Sequence, residues 1–219
     1  MSTLLVVLHK FTALHYLLRD YYYRGPHLFA WSLVETKMKI KEEQRHANME
    51  SLYDYGSRAG FWRLHRLFTM KQTPCTVFAV GMALQRNPDV CEAMKQTTNW
   101  EIASHGYRWW DYQNVSEDVE REHIRRTVEI HEQCLGKRPV GMYQGKPNVN
   151  TRKLVVEESG FLYDSDSYAD DLPYWTFEHG PKPHLIIPYT LSENDMRFAI
   201  PNGFSHGGEF FKYLKDSVE

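Results

Sequence analysis

Residues 101–111 (EIASHGYRWWD) gather more side chains capable of chemistry than any other part of the chain. Their first three residues are typical of a short buried strand, and a His, an Arg and two Trp follow. In α/β folds catalytic residues gather where strands end, because the loops there vary while the sheet holds them in place. We therefore predict that His105 takes part in catalysis. The alternative is a structural His that packs among aromatic rings.

A second group of reactive side chains lies in the carboxylate-rich segment 163–171 (YDSDSYADD). Asp164 and Asp166 come first in this segment, directly after a predicted strand. A buried carboxylate can orient or deprotonate a water molecule when its neighbours shift its pKa. We predict that Asp164 and Asp166 contribute to catalysis. The alternative is an Asp- and Ser-rich turn that only caps the strand.

Three more polar residues could bind a substrate. Asn194 and Arg197 offer an amide and a planar fork of N–H donors, which suit a small planar molecule rich in carbonyl and N–H groups. Arg58 could hold a substrate carbonyl in the same way. The alternatives are a surface salt bridge for the first two residues and a charge at the start of a helix for Arg58.

The composition limits the classes of function. Charged residues make up 25% of the chain and the formal net charge is −2, so no basic surface is expected for nucleic acid or for an anionic membrane. The three cysteines are odd in number and lack metal-ligand spacing, which predicts three reduced thiols in a cytoplasmic protein. Residues 1–18 are apolar but interrupted by polar residues and too short to span a bilayer. Their spacing predicts an amphipathic helix.

Strand and helix patterns alternate after about residue 46. The predicted strands are 76–80, 101–104, 161–163 and 185–187. The predicted helices cover 58–70 and 88–96, the segments between Ser116 and Gly136 and between Asn150 and Gly160, and the segment that follows Gly207. This alternation predicts a mostly parallel sheet with crossover helices, without distinguishing an open sheet from a barrel. Because His65, His123 and His131 fall on these helices, we expect them on solvated faces.

Eight segments carry a resemblance to a known family. They are MESLYDYGSRAGFWRL (49–64), TVFAVGMALQRNP (76–88), SHGYRW (104–109), RPVGMY (138–143), NTRKLV (150–155), SGFLYDSDSYADDLPYW (159–175), KPHLIIPYTL (182–191) and NDMRF (194–198). Together they resemble the polysaccharide-deacetylase superfamily and, within it, the metal-independent allantoinase branch. The resemblance runs in unbroken order from about residue 46 to residue 219.

This resemblance bears on metal binding. The usual motif of the superfamily is His-x-x-x-His, in which two imidazoles and an upstream Asp hold a divalent metal. Here the first His is His105, but the second position is Trp109, whose indole nitrogen is only a donor. The allantoinase branch shows the same change, and residues 1–45 contain no counterpart of the acidic pair in the family's first strand. We therefore expect no metal and no other cofactor.

For the fold, the resemblance implies an α/β architecture, a distorted (β/α) barrel of the polysaccharide-deacetylase type. The family's first strand and its last strand, which carries a His-Cys-Arg segment, have no counterpart here, so we expect a barrel that is incomplete at both termini. Residues 1–45 are expected to form an atypical helical segment, and residues 46–219 the deacetylase-like domain. Because an unclosed barrel leaves sheet edges open, a homo-oligomer is expected.

For function, the resemblance implies a hydrolase that opens the ring of allantoin to allantoate in purine catabolism, with a small ureide as its partner. Without a metal, His and carboxylate groups must activate water, stabilise the oxyanion and protonate the leaving nitrogen. His105 is the expected acid/base or oxyanion donor, and Asp164 or Asp166 the orienting group. The expected substrate contacts are Arg58, Trp109, Tyr143, Asn194 and Arg197. The alternatives are a carbohydrate N-deacetylase of the same superfamily and a catalytically inactive fragment.

A loop position for His105 also gives an expectation about stability. A side chain at the rim of a loop contributes little to a core. On this view, His105→Ala should abolish hydrolysis and lower the free energy of unfolding by no more than about 1 kcal/mol.

Overall fold

The computed structural model describes residue 51, residues 54–190, residues 193, 194 and 198, and residues 203–218. The predictions for residues 1–45 and for Arg197 lie outside the described residues. The strands are β1 (Cys75–Ala79), β2 (Trp100–Ser104), β3 (Gly141–Met142), β4 (Tyr163–Asp164), β5 (Tyr174–Thr176) and β6 (His184–Ile186). The helices are α1 (Phe61–Met70), α2 (Gly81–Arg86), α3 (Pro88–Gln96), α4 (Glu117–Leu135), α5 (Thr151–Glu158) and α6 (Gly207–Val218), and a π-helix, Gly56–Gly60, leads into α1. No helix in this part of the chain is long and apolar enough to cross a bilayer.

The described strands form one sheet in the order β1-β2-β3-β4-β6-β5. All neighbouring pairs are parallel except β5 and β6, which are antiparallel. The register aligns Ser104 with Met142, Met142 with Asp164, and Asp164 with Ile186. The residues that follow these four therefore leave the sheet at one edge. This confirms the predicted mostly parallel α/β fold and brings His105 close to the segments after β3 and β4.

Two groups of buried apolar side chains hold the helices against the sheet. One group, with Phe61 and Trp100, packs α1 to α4 against β1 and β2. The other group, with Val128, Met142 and Leu154, packs α4 and α5 against β3. Since α4 contributes to both groups, this long helix supports the two central strands that lead into the candidate site.

The boundaries of α3 and α4 follow signals in the sequence. Helix α3 begins at Pro88, whose fixed φ suits the first turn of a helix. Helix α4 begins after Ser116 and ends before Gly136, which adopts the left-handed conformation with φ 74°. The predicted limits are confirmed, although the Ser116 side chain makes no capping hydrogen bond.

Elsewhere the elements differ from the predictions. Helix α5 ends at Glu158, and Ser159 rather than Gly160 adopts the left-handed conformation, with φ 67°. The strand predicted at 161–163 lies at Tyr163–Asp164. Strands β3 and β5 were not predicted, because two or three residues are too few to show a period-2 alternation.

The expectation that the histidines of α4 are solvated is wrong. His131 is fully buried, and burial lowers its pKa to about 4, so its ring is neutral. His123 is half-buried, and its Nδ1 lies 2.8 Å from Oη of the buried Tyr112. The reason is that α4 contacts α2, α3, α5 and β2, and these two histidines lie toward its packed face rather than on its exposed face.

The three cysteines are free thiols, in agreement with the sequence. Burial raises the pKa of Cys91 to about 12, and the nearby Cys134 adds to this rise. Because the thiolate is the reactive form, Cys91 is a poor nucleophile at neutral pH. The cysteines therefore belong to the core rather than to the chemistry.

Gly141→Ala is expected to lower the free energy of unfolding by about 2–3 kcal/mol, the range for an overpacked core. Gly141 of β3 pairs with Tyr163 of β4, and a methyl group at Gly141 would lie 2.1 Å from the ring atom Cζ of Tyr163. The Tyr163 ring cannot move freely, because it is buried and its hydroxyl donates to Glu101. Urea unfolding measures the change.

Gly208→Ala is the matched control for this substitution. Gly208 lies exposed near the start of α6, and an added methyl group would lie 3.1 Å from the exposed His206 ring, which accepts from the Gly208 N–H and needs to shift only slightly. Since Ala favours a helix over Gly by roughly 0.5–1 kcal/mol, the control should be neutral or stabilising. Equal effects of the two substitutions would contradict the tight packing between β3 and β4.

Candidate active site

His105 is the first residue after β2, and its backbone N–H donates to Ala79 O at 2.8 Å, which fixes its place beside the end of β1. The side chain is 6% exposed. Its Nδ1 lies 2.5 Å from Tyr143 O. Because a carbonyl oxygen only accepts hydrogen bonds, we assign the ring proton to Nδ1. Burial lowers the pKa of His105, so the neutral ring offers a lone pair on Nε2.

Aromatic rings surround this imidazole. The Tyr143 ring stacks on His105 with centroids 5.1 Å apart and planes 7° apart, and Tyr189 stacks on Tyr143 at 4.5 Å. Tyr143 Oη lies 3.1 Å from Tyr168 Oη. Burial raises the pKa of Tyr143, so its hydroxyl stays protonated. The ring stack holds His105 in one orientation and excludes water from that face.

Trp109 and Lys146 lie on another side of His105. The Trp109 ring is centred 6.3 Å from the His105 ring, and Lys146 Nζ lies 5.8 Å from the centre of the Trp109 ring. Lys146 is exposed. A cation beside the Trp109 ring can stabilise negative charge that develops on a substrate bound against that ring.

Two glycines allow the loops after β2 and β3 to meet. Gly106 and Gly145 have φ of 71° and 80°, a conformation that favours glycine. A methyl group at Gly145 would lie 3.0 Å from His105 Cε1, and one at Gly106 would lie 2.6 Å from the Gln144 side-chain oxygen. Side chains at these positions would push the two loops apart.

Asp166 binds the loop after β3 through its carboxylate. Oδ2 accepts from the Gln144 backbone N–H at 2.6 Å, and Oδ1 accepts from that of Gly145 at 2.7 Å. Burial raises the pKa of Asp166 to about 6, although the two N–H donors oppose the rise. Asp166 therefore holds the two residues that directly follow Tyr143, whose carbonyl fixes the His105 ring.

Asp164 is buried in a network of its own, with 1% of its surface exposed. Its Oδ2 accepts from Arg152 Nε at 3.2 Å and lies 3.2 Å from His184 Nε2. Its Oδ1 accepts from the Asp166 backbone N–H at 3.1 Å. Because both oxygens are engaged, Asp164 suits an orienting role better than proton transfer to a substrate.

Neither His184 nor Arg152 was given a role from the sequence. His184 begins the short strand β6, next to β4 in the sheet, and is buried. Arg152 lies in the first turn of α5. No local pattern could identify them, because their partner Asp164 lies 20 and 12 positions away.

The remaining predicted substrate contacts differ in position. Asn194 Nδ2 donates to Tyr189 Oη at 2.8 Å, so this residue joins the ring stack. Arg58 is exposed on the π-helix, and no contact among the described residues joins it to His105. Its role as a substrate contact stays a prediction.

A cavity of about 390 Å³ lies beside the network of Asp164 and Asp166. Its lining mixes polar and apolar surface and includes Asn148, Thr151 and Arg152, whereas His105, Trp109 and Tyr143 do not line it. The cavity therefore lies outside the His105 face, and the two regions share only Asp166. We place the candidate chemistry at His105, because the imidazole and the aromatic rings are there.

The residues do not fit the metal site of the superfamily. Trp109 occupies the position of the second His and cannot ligate a metal. The part of the chain that the structure describes contains no group of three or more His, Cys, Asp or Glu side chains arranged to hold a metal ion. Absence of a bound metal from the protein itself stays a prediction.

Comparison with known proteins defines the family. Residues 41–158 match the model of the family described as polysaccharide deacetylase. This match covers more than half of the chain, and the chain therefore belongs to the polysaccharide deacetylase family. A Schizosaccharomyces pombe protein, whose name assigns it provisionally to the polysaccharide deacetylases, is 37% identical in an alignment 190 positions long that covers 80% of this chain and 59% of that protein.

Two solved structures are similar in both sequence and fold. The crystal structure of Puue allantoinase is 55% identical with a TM-score of 0.77, and the alignment covers 80% of this chain and 58% of that one. A probable polysaccharide deacetylase from Pseudomonas aeruginosa PAO1 is 58% identical with a TM-score of 0.76, with the same 80% and 58% coverage. The chain thus spans a little under three fifths of the length of these relatives.

Proposed function

We propose that the chain is a hydrolase of non-peptide carbon–nitrogen bonds that opens the ring of a cyclic ureide, as in the conversion of allantoin to allantoate. The observation that carries this proposal is the pair His105 and Trp109, an imidazole with a free Nε2 beside an indole where a metal-dependent enzyme needs a second imidazole. The 55% identity to Puue allantoinase supports the same substrate class.

In this proposal His105 carries the proton transfers. Nε2 takes a proton from a water molecule as the water oxygen attacks a ring carbonyl, whose C=O becomes an oxyanion. The oxyanion then reforms the carbonyl, the ring C–N bond breaks, and His105 Nε2–H returns the proton to the leaving nitrogen. The products are a carboxylic acid, which releases its remaining proton to solvent to become a carboxylate, and a free ureido group.

The other residues bind and orient. The Tyr143 carbonyl holds the His105 proton on Nδ1, and Asp166 fixes the loop that carries this carbonyl. Lys146, beside Trp109, is available to stabilise the oxyanion. The flat faces of Trp109 and Tyr143 suit a planar ureide.

A second candidate is N-deacetylation of an amino sugar. It is favoured by the names of the Schizosaccharomyces pombe and Pseudomonas aeruginosa relatives. Trp109 weighs against it. The resemblance implies that deacetylation in this superfamily depends on a metal held by two imidazoles, and Trp109 takes the place of one of them.

Product analysis of the purified chain distinguishes the two candidates. With allantoin as the substrate we expect allantoate, and with N-acetylated chito-oligosaccharides we expect no acetate above the no-enzyme control. Acetate release without allantoate formation would overturn the proposal in favour of the deacetylase. If a folded chain forms neither allantoate nor acetate, both candidate activities are overturned for this chain.

A further inference from the structure

Arg152 contacts three acceptors at once from the first turn of α5. Its Nε donates to Asp164 Oδ2 at 3.2 Å, its Nη2 donates to Asp166 O at 2.9 Å, and its Nη1 lies 3.8 Å from Glu178 Oε2. The side chain is 25% exposed, so most of the guanidinium stem and fork is enclosed. Charge-assisted hydrogen bonds to a planar fork give fixed geometry as well as energy.

The contacts of Arg152 fix the main chain of Asp166 on both sides. The Asp166 carbonyl accepts from Arg152, and the Asp166 N–H donates to Asp164, the second partner of the same guanidinium. The Oδ2 atom of Asp164 also lies 3.2 Å from Nε2 of the buried His184. The backbone of Asp166 is therefore fixed by Arg152 together with the buried Asp164.

From Asp166 the contacts run directly to the imidazole. The Asp166 carboxylate accepts from the backbone N–H groups of Gln144 and Gly145, and the carbonyl of the preceding Tyr143 accepts from His105 Nδ1. A displacement of Asp166 would move the Tyr143 carbonyl. Without that acceptor, nothing holds the His105 proton on Nδ1, and the other tautomer, with a protonated Nε2, becomes populated.

We propose that Arg152 is a positioning residue that acts through Asp166 and the Tyr143 carbonyl to keep His105 Nε2 unprotonated. This inference rests on the proposed function, in which Nε2 is the base. Arg152 does not touch the imidazole itself, so its effect is on the tautomer and orientation of His105.

The test compares Arg152→Gln with Lys153→Gln in the same chain. Lys153 is the next residue on α5, but it pairs with Glu117 and Glu157 and with no residue of the network. Two-bond ¹⁵N–¹H correlation spectra of histidine-labelled protein report which ring nitrogen carries the proton. For the parent and Lys153→Gln we expect a single Nδ1–H tautomer at His105. For Arg152→Gln we expect a mixture with the Nε2–H tautomer.

Kinetics provide the second readout. Since a misplacement of about 1 Å can cost roughly 100-fold in rate, Arg152→Gln should lower kcat for allantoin by roughly 10- to 100-fold, with KM changed less than about threefold. Arg152→Lys keeps the charge but offers a single ammonium in place of the fork, so its kcat should lie between those of Arg152→Gln and the parent. Lys153→Gln should leave kcat within about twofold of the parent.

The outcomes separate the inference from the proposed function. An unchanged His105 tautomer in folded Arg152→Gln protein would overturn the positioning role, whatever the activity. A changed tautomer in a chain that forms no allantoate would support the positioning role and overturn the substrate assignment. If Arg152→Gln does not fold by circular dichroism, the same spectra on Arg152→Lys decide the question.

Discussion

His105→Asn should lower the rate of allantoin hydrolysis by about 10²- to 10⁴-fold, the contribution of a positioned acid/base, while the chain stays folded. The Asn side-chain amide can still donate to the Tyr143 carbonyl, as Nδ1 does in the parent. It has no counterpart of the Nε2 lone pair. The substitution therefore removes the proposed base and keeps the contact that orders the loop. Initial rates of allantoate formation measure the effect.

The matched comparison for this prediction is His105→Ala. The sequence suggested a loss of no more than about 1 kcal/mol, but His105 is buried and stacks on Tyr143. Ala would leave the partly buried Tyr143 carbonyl without its side-chain partner, which costs up to about 3 kcal/mol, and would also open a cavity. We therefore expect His105→Ala to lose stability as well as activity. Retention of activity within about twofold in His105→Asn would remove His105 from the mechanism.

Asp166→Ala should lower the free energy of unfolding by about 2–4 kcal/mol, because it leaves the N–H groups of Gln144 and Gly145 without acceptors. It should also reduce turnover, since the same loop carries the Tyr143 carbonyl. Asp171→Asn is the control: Asp171 is exposed, and its replacement should change stability by less than about 0.5 kcal/mol. Urea unfolding at pH 7 compares the two variants.

The stability effect of Asp166→Asn should also depend on pH. Because burial raises the pKa of Asp166 from 3.8 to about 6, the folded chain binds this proton more tightly than the unfolded chain. The parent therefore gains stability from this group as the pH falls from about 6 towards 3.8. An Asn side chain does not titrate. The amount by which Asp166→Asn lowers the free energy of unfolding relative to the parent should be larger at pH 5 than at pH 8. A larger loss at pH 8 would contradict the raised pKa of Asp166.

The sequence predicts the main elements because their signals are local. Pro88 and Gly136 mark helix limits through their own backbone preferences, and β2 contains a short apolar run at Ile102 and Ala103 that leads into a polar loop. The position of His105 after β2 follows from this run. His105 lies near Trp109 because the two residues are four positions apart in one loop.

The rest of the site depends on contacts between distant parts of the chain. The His105–Tyr143 hydrogen bond joins residues 38 positions apart, and neither local sequence indicates the other. The position of His184 beside Asp164 depends on the register of β4 and β6, which short strands do not reveal, and Arg152 reaches Asp164 from a different element, α5. The burial of His131 results from the packing of α4 against several helices rather than from its own sequence pattern.

Metal dependence of ring opening tests the central claim most directly. The claim is that the His105 face opens a cyclic ureide without a bound metal, because Trp109 replaces the second imidazole. The measurement is the rate of allantoate formation by the chain after treatment with a chelator and dialysis, with and without added zinc, nickel or cobalt. The account predicts equal rates in all samples. A rate that falls on chelation and returns with one equivalent of metal per chain would contradict it.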